Sequence, residues 1–285
     1  MGDAGEGIRG ATVLGELNAC VDHWFAIRLA DVEAQPERLG LQGEAIALVS
    51  DLARDRELQQ ADAVRPHLHN LIDLPASATA DDLEKIADLF SPGGVHDGGL
   101  LARIILECCP LIAATSGALL LAAIIRLNWH GGKVGFQFLP DPASTDAEEY
   151  EEEAGSLISL LQWATDGNPR RVLTGDDLAF FESLLERFTI YRGTAGVTPA
   201  VAGAGVCWTT RREIAEWFAW RSAGFSHAAP LLISARLWKG EVCFVKAQEH
   251  EVVAQPSRSR VIKCRPQRAC AETDWAAGLH LMGDG

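Results

Sequence analysis

Apolar positions in the first part of the chain recur at near-helical spacing. Leu17, Ala19, Val21, Phe25 and Leu29 do so within 12–34, and Ile46, Leu48, Val49 and Leu52 within 42–70. That period predicts two helices. Thr79-Ala80-Asp81-Asp82 predicts the start of a further helix and Ser91-Pro92-Gly93-Gly94 its end. The most apolar run is Ile104 to Ile125, with Glu107 its one charge. It is long enough to span a bilayer. Pro110, the small residues 114–118 and helical neighbours that need a core predict a buried core helix instead. Val134 to Leu139 reads as a strand.

After residue 155 the pattern changes. Ser156 to Trp163 and Asp176 to Phe188 predict amphipathic helices, and short runs of strand formers follow. Thr189 to Tyr191 is the first, broken by Gly193, and Val206 to Thr209 the second. Thr210 is placed to cap a helix, with Glu213 completing a capping box. That helix carries Ile214, Phe218 and Arg221 on one face with Ala215 and Ala219 beside them, which assigns Trp217 and Phe218 to the core. Leu231 to Trp238 is a third strand, Lys239-Gly240-Glu241 a tight turn and Val242 to Val245 a fourth strand. Glu249-His250-Glu251 then runs into Val252-Val253. Helices followed by short mixed strands predict an α+β chain. The boundaries expected are a helical N-terminal domain at 1–143, an acidic linker at 144–155 around Glu148 to Glu153, a domain at 156–271 and a tail at 272–285. The acidic run also suits a helix start.

Composition narrows the functional classes. The 285 residues are 48% hydrophobic, ample for a core, and carry a net charge of −14, which argues against general nucleic-acid binding. The charge is uneven: residues 1–189 sum to −18 and residues 190–285 to +4. A mildly basic second part suits an anionic ligand. Seven cysteines without a CxxC pair, at 20, 108, 109, 207, 243, 264 and 270, predict reduced thiols and no zinc knuckle. His67-Leu68-His69 lies in a polar helical setting and reads as surface histidines. Gly5-Glu6-Gly7-Ile8-Arg9-Gly10 fits GxGxxG, but no strand precedes it, so it reads as a flexible leader. The first residues are neither basic nor apolar, and Glu6 stands where a myristoylation signal has Ser or Thr. No secretory signal, membrane span or metal site is expected, and a cytoplasmic setting is.

Two groups in the second part carry candidate chemistry. Arg192 ends a strand beside Gly193, where a guanidinium can grip a phosphate or carboxylate with a bidentate fork. Glu249 and Glu251, two apart in a strand, would share a face opposite His250. Paired carboxylates repel unless a cation intervenes, and such pairs serve as a base with an electrostatic stabiliser. Two solvated glutamates on an edge strand would read the same way.

An Arg on a first strand, Trp208-Thr209-Thr210 entering a helix and a later Glu249-His250-Glu251 together resemble the arginine-type mono-ADP-ribosyltransferases, which include bacterial toxin and phage-encoded members. The resemblance covers about residues 156–264. The family's second motif is Ser-Thr-Ser, and Trp208 stands in place of its first Ser. The resemblance implies an ADP-ribosyltransferase-like fold for this part, NAD as co-substrate without a metal, and a protein arginine as acceptor. It implies an NAD-binding set of Arg192, Gly193, Trp208, Thr209, Thr210 and Glu251, with Arg192 on the phosphates and both threonines at the nicotinamide ribose. Glu251 would accept from the ribose 2′-hydroxyl and stabilise the positive charge that builds as the nicotinamide bond breaks, and Glu249 would orient or deprotonate the incoming guanidinium. Lys246-Ala247-Gln248 falls where the family presents its target-recognition loop. Gln248 and Phe244 are candidate acceptor contacts there, with strand core the other reading of Phe244.

The function expected is NAD-dependent transfer of ADP-ribose to arginine, in the cytoplasm of the producing cell or of a target cell. The alternatives are NAD hydrolysis with water as acceptor and a non-catalytic module that binds a nucleotide or partner.

Overall fold

The computed structural model describes residues 65–75, 77–90, 117–129, 146–257 and 260–264, together with 13–19, 21–23 and positions 26, 51, 55 and 62. The glycine-rich leader, the strand expected at 134–139, most of the helix expected at 42–70, residues 104–116 of the apolar run and the tail lie outside the described residues. The fold is α+β, and the chain divides into two units, Met1–Phe138 and Leu139–Gly285.

In the first unit, α1 (Ala80–Asp88) begins as the sequence predicts. The Thr79 hydroxyl accepts from the Asp82 amide, and the Asp82 carboxylate accepts from the Thr79 amide at 3.0 Å. α2 (Ala118–Asn128) takes up the end of the apolar run, with Leu120 to Ile125 all buried. Arg126 is buried in the same helix, its Nη2 3.3 Å from the Glu84 carboxylate of α1. Among the described residues no helix is long and apolar enough to cross a membrane.

In the second unit, α3 (Ala147–Thr165) is 19 residues long. Its first turns are the acidic run, and Asp146 caps it by accepting from the Glu148 and Glu149 amides at 2.8 and 3.0 Å. Carboxylates crowd the end of the helix where the backbone amides are unsatisfied, which favours them there. Residues 147–155, expected as a linker, are therefore the start of this helix. α4 (Gly175–Ser183) follows, then β1 (Arg187–Ala195), so Phe188 belongs to the strand. α5 (Pro199–Ala204) leads to β2 (Cys207–Thr209), and α6 (Arg212–Ser226) to β3 (Pro230–Trp238). After a turn at Lys239–Glu241 come β4 (Phe244–Lys246), a second turn at Ala247–Glu249, β5 (Glu251–Val253) and β6 (Val261–Cys264).

The six strands make one antiparallel sheet in the order β4-β5-β2-β1-β3-β6. Leu231, Leu232 and Ile233 are buried in succession on β3, as suits a strand covered on both faces, and the strand then alternates with Ala235 and Leu237 inward, Arg236 and Trp238 outward. α6 covers β1. Its first residue is Arg212 and its cap Arg211, one beyond the expected Thr210, because Arg211 is still extended and Glu213 binds the Arg211 guanidinium at 2.6 Å instead of closing a capping box. Ile214, Ala215 and Ala219 form its buried face, while Trp217 and Phe218, assigned to the core from sequence, are half-buried.

Helix and strand come close at Gly193, where a β-carbon would collide with the Ala215 carbonyl of α6. The opposing atom is backbone and cannot rotate away. Gly193→Ala is expected to destabilise the second unit by about 2–3 kcal/mol, read as a lower denaturation midpoint at unchanged m-value.

Candidate functional site

The sheet order sets β1, β2 and β5 side by side, so three segments far apart in sequence meet at one place. Thr209 stands opposite Tyr191 on β1 and opposite Glu251 on β5, and Lys246 of β4 stands opposite Glu251 on its other side. Directly opposed residues in an antiparallel pair project to the same face. Thr209, Glu251 and, two back along β2, Cys207 therefore share a face.

Arg192 enters from the neighbouring strand. Its Nη1 donates to the Cys207 carbonyl at 2.9 Å, and its Nε is buried with no hydrogen-bond partner. Gly205 makes room for the guanidinium, since a β-carbon there would overlap it. The Cys207 residue is half-buried overall, yet burial is the first cause that pushes its thiol well above the ordinary value of 9.0. The Glu251 charge pushes in the same direction, and Arg192 pulls the other way. The thiol thus stands between the cation and the carboxylate, as a neutral S–H.

Thr209 is 6% exposed and binds the segment that leads to Glu251. Its hydroxyl accepts from the Arg211 amide at 3.2 Å and donates to the Glu249 carbonyl at 3.5 Å. The Thr210 amide donates to the His250 carbonyl at 3.1 Å. Glu249 does not share a strand face with Glu251, as the alternation argument expected. It ends the turn at Ala247–Glu249, and His250 follows in the left-handed region at φ 48°, which reverses the chain before β5 begins. Glu249 is half-buried and Gln248 exposed on that turn. The His250 ring stands edge-on to Phe180 of α4, 5.4 Å between centroids. Burial, then the Arg211 charge, pushes the His250 imidazole below its ordinary value, with Glu213 opposing.

Three of the expected ligand residues lie elsewhere. Trp208 points to the opposite face with its partner Val252, is 2% exposed and donates its indole N–H to the Gly205 carbonyl at 2.8 Å. Phe244 is 1% exposed in the core, the second of its two readings. Gly193 lies under α6. Sequence reasoning passed over Cys207, Gly205 and Asp177. Strand alternation applied to Thr209 would have found Cys207. Asp177 gave no signal, being 70 positions from the amide it accepts from.

No protein-family model, curated protein or solved structure matches this chain.

The raised thiols have a consequence at alkaline pH. Cys207 is held protonated, and burial pushes Cys243 up to about 12. Both thiols ionise more readily in the unfolded chain, so stability is intact below the ordinary thiol range and declines as pH rises from about 9 towards 12. Denaturation at pH 7.5 and pH 10 checks the sign. At pH 8, mass-mapped alkylation of the native protein is expected to label the half-buried Cys264 well before Cys207 or Cys243.

Proposed function

We propose that the second unit is an NAD-dependent mono-ADP-ribosyltransferase acting on arginine. The observation that carries the reading is that Glu251 lies opposite Thr209 in the sheet and acts together with Arg192 on Cys207, two back from Thr209 along the same strand, so the three residues of the family resemblance meet around β2.

The chain's own groups fit the substrate. Arg192 has one donor held by the Cys207 carbonyl and a buried Nε without a partner. An unsatisfied buried donor costs about 1–3 kcal/mol, and an anionic oxygen arriving at the guanidinium offsets part of that. Arg192 accordingly takes the pyrophosphate. Glu251 faces the nicotinamide ribose and accepts from its 2′-hydroxyl. When the nicotinamide–ribose bond breaks, its electron pair leaves on nicotinamide, and the fixed carboxylate opposes the positive charge left on the ribose. The incoming arginine nitrogen forms the new bond to the ribose carbon, and its proton passes to Glu249. Thr209 ties the Glu249 carbonyl to the end of β2 and so relates the two carboxylates.

Water as acceptor is the second reading. It is favoured by one observation, the place of Glu249 on a turn outside the row that holds Glu251.

Nicotinamide release from NAD by the purified chain is the test. Glu251→Gln is expected to lower release about a hundredfold or more while the protein stays folded. Near-normal turnover in that variant would sink the assignment. Labelled NAD in a cell lysate reports the acceptor class. Glu249→Ala is expected to lower the ratio of transfer to hydrolysis; an unchanged ratio favours water as acceptor. No release and no NAD-induced thermal shift would leave a binding module.

A further inference from the structure

Helix α4 grips the turn that carries Glu249 at both of its ends. Asp177 and Phe180 lie three apart, and so on one face of the helix. At the start of the turn the Asp177 carboxylate accepts from the Ala247 amide at 2.8 Å. Its other oxygen is 3.5 Å from the Lys246 ammonium, and both of these side chains are largely buried, at 15% and 12% exposure. At the end of the turn the Phe180 ring meets His250 edge-on. Lys246 and His250 flank the three turn residues, and Lys246 is itself opposite Glu251 in the sheet.

The turn closes on itself without this help, since the His250 amide donates to the Ala247 carbonyl at 3.0 Å. What α4 adds is the position of the closed turn as a body. Thr209 and Thr210 hold the same turn from β2, through the Glu249 and His250 carbonyls. The turn is therefore clamped between a helix on one side and the site strand on the other.

We propose that Asp177 and Phe180 are positioning residues for the acceptor. They place the Glu249 carboxylate and exposed Gln248 relative to Glu251, and so govern how ADP-ribose divides between a guanidine and water. This inference rests on the transferase reading. Bond breaking at the nicotinamide depends on Glu251, which the sheet holds on β5 between β2 and β4. Proton removal from an arriving guanidinium depends on the turn.

The test uses the full chain with NAD and agmatine as a small guanidine probe. Nicotinamide release without agmatine reports hydrolysis, and ADP-ribosyl-agmatine formation reports transfer. Asp177→Ala is expected to lower transfer about tenfold while hydrolysis stays within about twofold. Asp177→Asn keeps an amide oxygen for the Ala247 amide and is expected to lose less. Phe180→Leu removes the ring contact with His250 and is expected to shift the ratio in the same direction. Melting temperatures identify any variant that fails to fold, and the milder two are then read by the same criterion. A parallel fall in both activities, or an unchanged ratio in the folded variants, overturns the proposal. So does a wild-type chain that hydrolyses NAD yet forms no agmatine adduct. A wild-type chain inert to NAD overturns the transferase reading beneath it.

Discussion

A guanidinium held against strand backbone sets the terms for the rest of the site. Arg192 projects from β1 onto the Cys207 carbonyl of β2, and charge in such a place needs room, an acceptor and a counter-charge. Room comes from Gly205, where any side chain would overlap the guanidinium. The acceptor is the Cys207 carbonyl, and the counter-charge is Glu251, which acts with Arg192 on the same thiol from the opposite sense. β1 and β2 pair at Tyr191 and Thr209, whereas β1 and β3 pair along the whole length of β1. A strand firmly fixed on one side and lightly joined on the other can carry a charged side chain at the loose side without losing its place.

The same strand solves a second problem one residue on. Gly193 lets the backbone of α6 reach β1 directly, at a helix whose first residue follows the end of β2 by two intervening positions. Arg211 and Arg212 stand there, each paired with a carboxylate on the helix itself, Glu213 at 2.6 Å and the buried Glu216 at 2.9 Å. The helix start therefore carries both these cations and their partners, so it adds directed hydrogen-bonding groups without a large unopposed field.

The parts of this arrangement legible in the sequence are those with a local cause. Thr79 and Asp82 announce their helix because a capping box is built within four residues. The Thr189–Tyr191 and Leu231–Trp238 strands show as runs of strand formers, and the Lys239–Glu241 turn as a glycine between charges. Arg192, Thr209 and Glu251 were legible as a spaced pattern, and sheet order brings them together. What did not show was decided by tertiary contacts. The stretch Glu249–Glu251 has strand-like alternation, but the left-handed backbone of His250 interrupts it, a conformation that no residue there signals in advance. Trp208 was placed by motif at the ligand, while two-residue alternation from Thr209 turns it to the core and exposes Cys207 to the site. The acidic run at 148–153 fits linker and helix start equally by composition; the cap at Asp146 makes it a helix.

Charge gives the same lesson at longer range. Residues 190–285 are net +4, which suggests a basic catalytic part. The unit that folds together begins at Leu139 and takes in the acidic turns of α3. Over 139–285 there are 15 basic and 20 acidic residues, a net charge of −5. On the transferase reading, attraction of an anionic dinucleotide would therefore not come from the net charge of the unit. At physiological salt exposed charges are screened within about 8 Å, whereas an enclosed cation is screened much less. Of the cations near the site, Arg211, Arg212 and Lys246 are each paired with a carboxylate, while Arg192 is held by a neutral carbonyl and keeps a donor without a partner. On the transferase reading, a phosphate arriving here would meet in Arg192 a guanidinium with a donor still to satisfy, opposed across the Cys207 thiol by Glu251.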